Sequence, residues 1–200
     1  MKKKRHLKKW VWLCLWSISF IGIFISFYEI VNYLLDSINT NELIKDIITN
    51  DKVKSMDNFI QHCDTTTFEH SKDVSYLCYK ICKKLKLDYK SATRASLLYD
   101  FYLYEWRANK ERWHGFKHPY IALKNAEEEF NLNRKEKNMI KTHMWPLTII
   151  PPSSLEGLVL TLVDKYSATK EIMSYIKKKT KESKPFRYAY LLVLFIIRKF

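Results

Sequence analysis

The sequence predicts an all-α protein, a helical bundle preceded by a transmembrane helix. Three observations lead there. Glycine and proline are scarce, 3 and 5 in 200 residues, too few for the turns of a strand architecture. Apolar residues recur at helical spacing in successive stretches, with helix-start signatures in front of them. One uncharged run, Trp10 to Tyr28, reaches the roughly 20 residues of a bilayer crossing once its flanks are included. A chain that is 47% hydrophobic and 15% aromatic is too apolar for disorder, and its length suits one domain with appendages.

Charge separates the body from its ends. The net charge is +14, and all of the excess lies in residues 1–9 and residues 165–200, so that residues 10–164 are neutral overall. A nucleic-acid-binding domain carries its basic surface on the folded body. Here the basic clusters adjoin apolar segments instead, which points to an anionic membrane surface as partner and to no nucleic acid. Of the four cysteines, Cys14, Cys63, Cys78 and Cys82, no two have CxxC spacing, which removes zinc-ribbon and thioredoxin-like readings. Cys78 and Cys82, one helical turn apart, read as small packing residues.

In chain order, residues 1–9 form a basic arm and residues 10–31 the membrane anchor, with Trp10, Trp12 and Trp16 at one end and Phe27 and Tyr28 at the other, as in interfacial belts. The protein is expected in the cell membrane, single-pass. The basic arm before the span and the acids after it favour a body outside, whereas the chemistry argued below favours a cytoplasmic one. Residues 32–55 read as connecting helices that space the anchor from the body, and residues 177–200 as a basic and apolar membrane-associated end. The body is residues 56–176.

The body opens with Thr66 followed three residues later by Glu69, a capping box. His70, Val74, Leu77, Ile81 and Leu85 then form one helical stripe, which places His70 on the buried face. After a break at Leu87-Asp88, Ala92, Ala95 and Tyr99 form a second stripe that Asp100 closes. Residues up to Trp113 read as a helix end and loop. His114 and His118 have the i,i+4 spacing of a helical metal pair, but Gly115 and Pro119 argue for a loop, with Pro119 opening a helix to about Phe130. Asn133 with Glu136 starts the next helix, with Met139, Ile140 and His143 inward and Trp145-Pro146 as the stop. Ser153 with Glu156 caps an apolar helix that carries Asp164. A buried carboxylate there calls for a cation.

Successive helical segments thus each present one polar residue at an apolar face: His70, Asp100, His118, His143 and Asp164. Three imidazoles and two carboxylates suit a divalent transition metal such as iron, manganese, zinc or nickel, as one ion or two. Lys165 is the best candidate for contact with phosphate oxygens, ahead of His114, Lys117 and Arg107.

The order of these residues, with the stretches TTTFEHS, LLYDFYLYEW, HGFKHP, IKTHMWP and LVDKYSA, resembles the HD-domain phosphohydrolases. Within them it is similar to the bacterial branch typified by symmetrical diadenosine tetraphosphate hydrolases. The resemblance covers about Met56 to Ile172. It implies an HD-domain helical bundle in which His70, the doublet ending in Asp100 and Asp164 hold one metal, while Asp100, His118 and His143 hold a second. It also implies a phosphorylated small molecule, such as a nucleotide, as substrate, and its hydrolysis by a metal-activated water.

The chain departs from that pattern at the doublet, where Tyr99-Asp100 stands in place of His-Asp. The first position would then lack an imidazole, and tyrosine, with a pKa of about 10, is a reluctant ligand. A one-metal enzyme, a two-metal enzyme with a tyrosyl ligand, and a catalytically impaired module that binds a nucleotide or partner as a sensor are all compatible with this replacement. So is a purely structural helical membrane protein without a metal.

Overall fold

The computed structural model describes residues 25–106 and 112–182. The basic arm, the expected anchor up to residue 24, Arg107 and the end of the chain beyond Glu182 lie outside the described residues. Helices dominate, as the sequence predicts. Helix α1 covers residues 25–43, and its apolar side chains Phe27, Ile30, Tyr33, Leu34 and Ile38 are exposed. Among the described residues, no helix is long and apolar enough to cross a membrane.

The chain divides into two compact units, Met1–Glu42 and Leu43–Phe200. The second begins with three short turns: α2 (Lys45–Ile48), α3 (Asp51–Lys54) and a 3-10 turn (Ser55–Asn58). The Asn50 side chain caps α3 by accepting from the Lys52 and Val53 amides at 2.8 and 3.3 Å. This segment, expected only as a spacer, belongs to the packed body. Ile44, Ile47, Val53 and Met56 are buried in the main core, and Arg94 grips Asp46 through two bonds of 2.6 and 2.8 Å.

A small antiparallel pair, β1 (Ile60–His62) and β2 (Thr65–Thr66), turns through Cys63 at φ 54° and leads into α4 (Thr67–Lys84). Both bonds of the capping box are present: the Glu69 amide donates to Thr66 Oγ1 at 3.1 Å, and the Thr66 amide to Glu69 Oε2 at 3.2 Å. Such a cap contributes about 1 kcal/mol. The buried face of α4 is rotated from the predicted stripe. His70 and Val74 are buried as expected, but Cys78 and Cys82 continue that face, while Ile81 and Leu85 are exposed. The reason is packing: α4 lies against both α5 (Tyr89–Leu98) and α8 (Leu155–Glu182), so its small residues turn inward where helices approach closely. Ala92 and Ala95 on α5 and Tyr99 at its C-cap are fully buried.

Helix α6 (His114–Glu129) starts a turn earlier than the sequence suggests. Trp113, in the left-handed region at φ 71°, turns the chain into it, and Pro119 sits inside. Proline that close to a helix start removes a single intrahelical bond, to the Gly115 carbonyl, which the helix tolerates. Gly115 also permits a close approach, since a Cβ there would lie 2.9 Å from Leu147 Cδ2. The loop expected at His114 and His118 is therefore a helical turn.

Helix α7 (Arg134–Thr142) has the predicted capping box, with Asn133 and Glu136 bonded reciprocally at 2.9 and 2.8 Å, and His143 stands at its C-cap. At α8 the cap differs from expectation. Ser154, not Ser153, accepts the Gly157 amide at 3.2 Å. Glu156 instead accepts the Asp88 amide and the Lys135 ammonium, each at 2.9 Å, because distant donors reach it in the folded body. The helix then runs unbroken through residue 176 to Glu182.

Candidate metal centre

The packing of α5, α6 and α7 brings Asp100, His118 and His143 to one buried point. Asp100 follows the end of α5, His118 lies one turn into α6 and His143 caps α7. The Nε2 atoms of His118 and His143 are 2.9 Å apart, and Asp100 Oδ1 is 3.1 Å from the first and 3.7 Å from the second.

The other ring nitrogens decide what those Nε2 atoms are. His118 Nδ1 lies 2.9 Å from the His114 carbonyl and His143 Nδ1 lies 2.8 Å from the Ile140 carbonyl. A carbonyl oxygen only accepts, so both Nδ1 atoms carry the proton. Burial, and next the neighbouring His118, lower His143 to about 4, so it is neutral at ordinary pH and its Nε2 is a lone pair. Asp100 Oδ1 is buried with no hydrogen-bond donor directed at it. Acceptor atoms facing one another at this distance repel, and a cation among them removes the conflict. Pinning the far nitrogen of each imidazole is also how proteins orient metal-ligating histidines. Asp100, His118 and His143 can therefore hold a metal ion.

Asp100 is fixed by a residue that the sequence did not flag. Gln61, from β1, donates to Asp100 Oδ2 at 2.6 Å, and its own Oε1 accepts the Tyr102 hydroxyl. Nothing in the local sequence marks Gln61, because its partner is 39 residues away.

His70 and Asp164 lie beside this point. With Asp100 they form a second group whose donor atoms lie within 4.8 Å of one another and could hold an ion. His70 Nε2 is 3.2 Å from Asp164 Oδ1, and the Tyr99 hydroxyl donates to the same oxygen at 3.1 Å. Tyr99 thus faces the site. Burial, and then Asp164 and Asp100, push its pKa well above 10, so it remains a neutral donor. Glu171, which the sequence reading passed over, meets His70 Nδ1 at 2.7 Å. Its signal was available: it follows Asp164 by two helical turns and shares that face of α8. Burial opposes protonation of His70, but Asp164 and Glu171 outweigh it and push its pKa up to about 10.

A cleft of about 530 Å³ opens onto the centre between Trp106, Trp113, Phe116 and Leu147. His114 lines it but is not among the metal-capable groups. Its ring is stacked between Trp106 and His118, at centroid distances of 4.7 and 4.6 Å, and its Nδ1 meets the Tyr104 hydroxyl at 3.0 Å. Lys165 also lines the cleft, half-exposed, with Nζ 3.4 Å from the His143 carbonyl and 3.9 Å from Asp164 Oδ2. Lys117 is exposed and does not line it.

Fold and site together define a helical protein with a buried histidine–aspartate cluster at the base of an aromatic cleft. The chain matches no family model, no curated protein and no solved structure.

Proposed function

We propose that the protein is a membrane-anchored, metal-dependent phosphohydrolase of the HD type that cleaves a nucleotide or related phosphate ester. The observation that carries this reading is the convergence of Asp100 Oδ1 with the Nε2 atoms of His118 and His143. Two imidazoles and one carboxylate make a donor set for iron, manganese, zinc or nickel. A divalent ion held there would acidify water and polarise a phosphoryl oxygen.

The chain's own residues divide the remaining work. Asp100, His118 and His143 provide the ligands. Gln61 fixes the rotation of Asp100, and the carbonyls of His114 and Ile140 fix the two rings. Lys165, at the cleft wall, supplies a cation for phosphate oxygens. Trp113 and Phe116 give the cleft flat apolar surface of the kind on which a nucleobase stacks. Asp164, held by His70 and Tyr99, places a carboxylate on the wall of the same cleft.

Anchoring rests on the uncharged run from Trp10 to Tyr28, the basic arm before it and the basic, apolar end of the chain. The cell membrane is the proposed location, with the body on the cytoplasmic side where nucleotides are abundant.

A second reading, a catalytically impaired sensor that binds its ligand without turnover, is favoured by one observation. Tyr99 stands where the family places an imidazole, and its hydroxyl occupies Asp164 Oδ1. The experiment is metal analysis of the purified full-length protein, followed by turnover of a generic phosphodiester with added Mn²⁺ or Fe²⁺. Bound metal with turnover that His143→Ala abolishes supports the hydrolase. Bound metal without turnover selects the sensor. Protein that takes up no divalent ion overturns both.

A further inference from the structure

His70 meets a carboxylate with each of its ring nitrogens, Asp164 at Nε2 and Glu171 at Nδ1. The Asp164 edge is crowded, because Tyr99 donates to the same Oδ1 that faces His70. The Glu171 edge is different. Glu171 Oε2 is buried without a hydrogen-bond partner. His62 closes on the same place, its ring meeting that of His70 edge-on with centroids 5.1 Å apart. The donor atoms of His62, His70 and Glu171 lie within 4.8 Å of one another, and they come from β1, α4 and α8.

We propose that His62, His70 and Glu171 form a further divalent transition-metal site, separate from the centre at Asp100, His118 and His143. His70 ligates through Nδ1, and its Nε2–H donates to Asp164. A carboxylate on the far nitrogen is the usual support of a metal-ligating histidine, and here Asp164 is already placed for it. Two imidazoles and one carboxylate suit zinc, iron, manganese or nickel rather than calcium or magnesium. An ion also gives Glu171 Oε2 a partner, which an ordinary His70–Glu171 ion pair leaves unmatched. His62 is half-buried and lines the cleft, so the site has an entry path.

Tyr99 explains why a second ion would sit on this side of His70. A histidine at position 99 would join His70, Asp100 and Asp164 around one ion. The tyrosine hydroxyl instead engages Asp164 as a hydrogen-bond acceptor, and the edge of His70 left for an ion is the one that faces Glu171. His62 and Glu171 have no part in the phosphohydrolase reading, so the two can fail separately.

The test uses the full chain, stripped with a chelator, reloaded with Zn²⁺ or Co²⁺ and dialysed before elemental analysis. The wild type should retain two ions per chain. His62→Ala and Glu171→Gln should each retain one, and His143→Ala should also retain one. In Co²⁺-loaded protein, the visible absorption of His62→Ala and of His143→Ala should differ, since different ions remain. The ion kept by His62→Ala is its own control for folding. Two ions in both His62→Ala and Glu171→Gln would overturn the proposal, as would loss of both ions from either. A wild type with one ion, lost in His143→Ala and kept in His62→Ala, overturns this site and leaves the first centre standing. A wild type with no ion overturns both.

Discussion

His118 and His143 bring their Nε2 atoms within 2.9 Å of each other while each donates its Nδ1–H to a main-chain carbonyl. Rings pinned in this way cannot rotate to avoid each other, and the Asp100 oxygen beside them completes a set of acceptors. This relationship, more than any one residue, gives the site its chemistry.

Removing either ring should therefore remove the ion. His118→Ala or His143→Ala is expected to weaken divalent-ion binding by more than about 100-fold, beyond the 10–100-fold cost of altering an outer partner. Far-UV circular dichroism should be unchanged, since both rings sit near helix ends. Equal affinity in wild type and both variants, measured by titration, would refute the assignment.

Gln61 acts through Asp100. Gln61→Leu leaves Asp100 Oδ2 buried without its donor, at a cost of about 1–3 kcal/mol in stability. Metal affinity should fall about 10–100-fold as the carboxylate loses its orientation. Denaturant unfolding and metal titration check the two parts. A variant as stable and as tight as wild type would show that Gln61 does not hold Asp100.

Tyr99→Phe deletes one buried hydrogen bond while Asp164 keeps His70, so the expected loss is about 0.5–1.5 kcal/mol. Tyr99→His puts an imidazole at the edge shared by Asp100 and Asp164, and bound metal should rise. Elemental analysis beside wild type decides it. No change in stability for the first and none in metal for the second would mean that position 99 does not face the site.

The acid limb of stability should depend on Lys135. Burial raises the pKa of Asp88 and of Glu156, but bonds to Lys135 and to main-chain amides outweigh it and lower both. A depressed folded-state pKa contributes stability that is present above the unfolded values, 3.8 and 4.5, and is lost as pH falls through the folded ones. Wild-type stability should therefore drop below about pH 4.5, and Lys135→Met should flatten that drop. Urea midpoints across pH 3–6 measure it, and parallel curves for the two proteins would contradict the expectation.

The anchor is tested by carbonate extraction of membranes. Full-length protein should stay in the pellet, as an apolar span with basic and aromatic flanks does. Release into the supernatant would remove the anchor reading.

The sequence by itself determined what depends on near neighbours. The Thr66–Glu69 and Asn133–Glu136 boxes form between residues three apart, so their partners are visible without a fold. Asp100, His118, His143 and Asp164 stand out because a charged or imidazole group on an apolar stripe needs an explanation wherever the stripe packs. The tertiary structure decided the rest. Glu156 left its expected cap because the Asp88 amide and the Lys135 ammonium offered stronger partners. Cys78 and Cys82 displaced Ile81 and Leu85 from the buried face of α4 because two helices, not one, pack against it. Gln61 reaches Asp100 across 39 residues with no local pattern to encode the contact, and Glu171, though in phase with Asp164, reaches His70 across 101. A side chain's type and phase are set locally, whereas the atoms it meets are set by where other helices bring their own, and a metal site is made of such meetings.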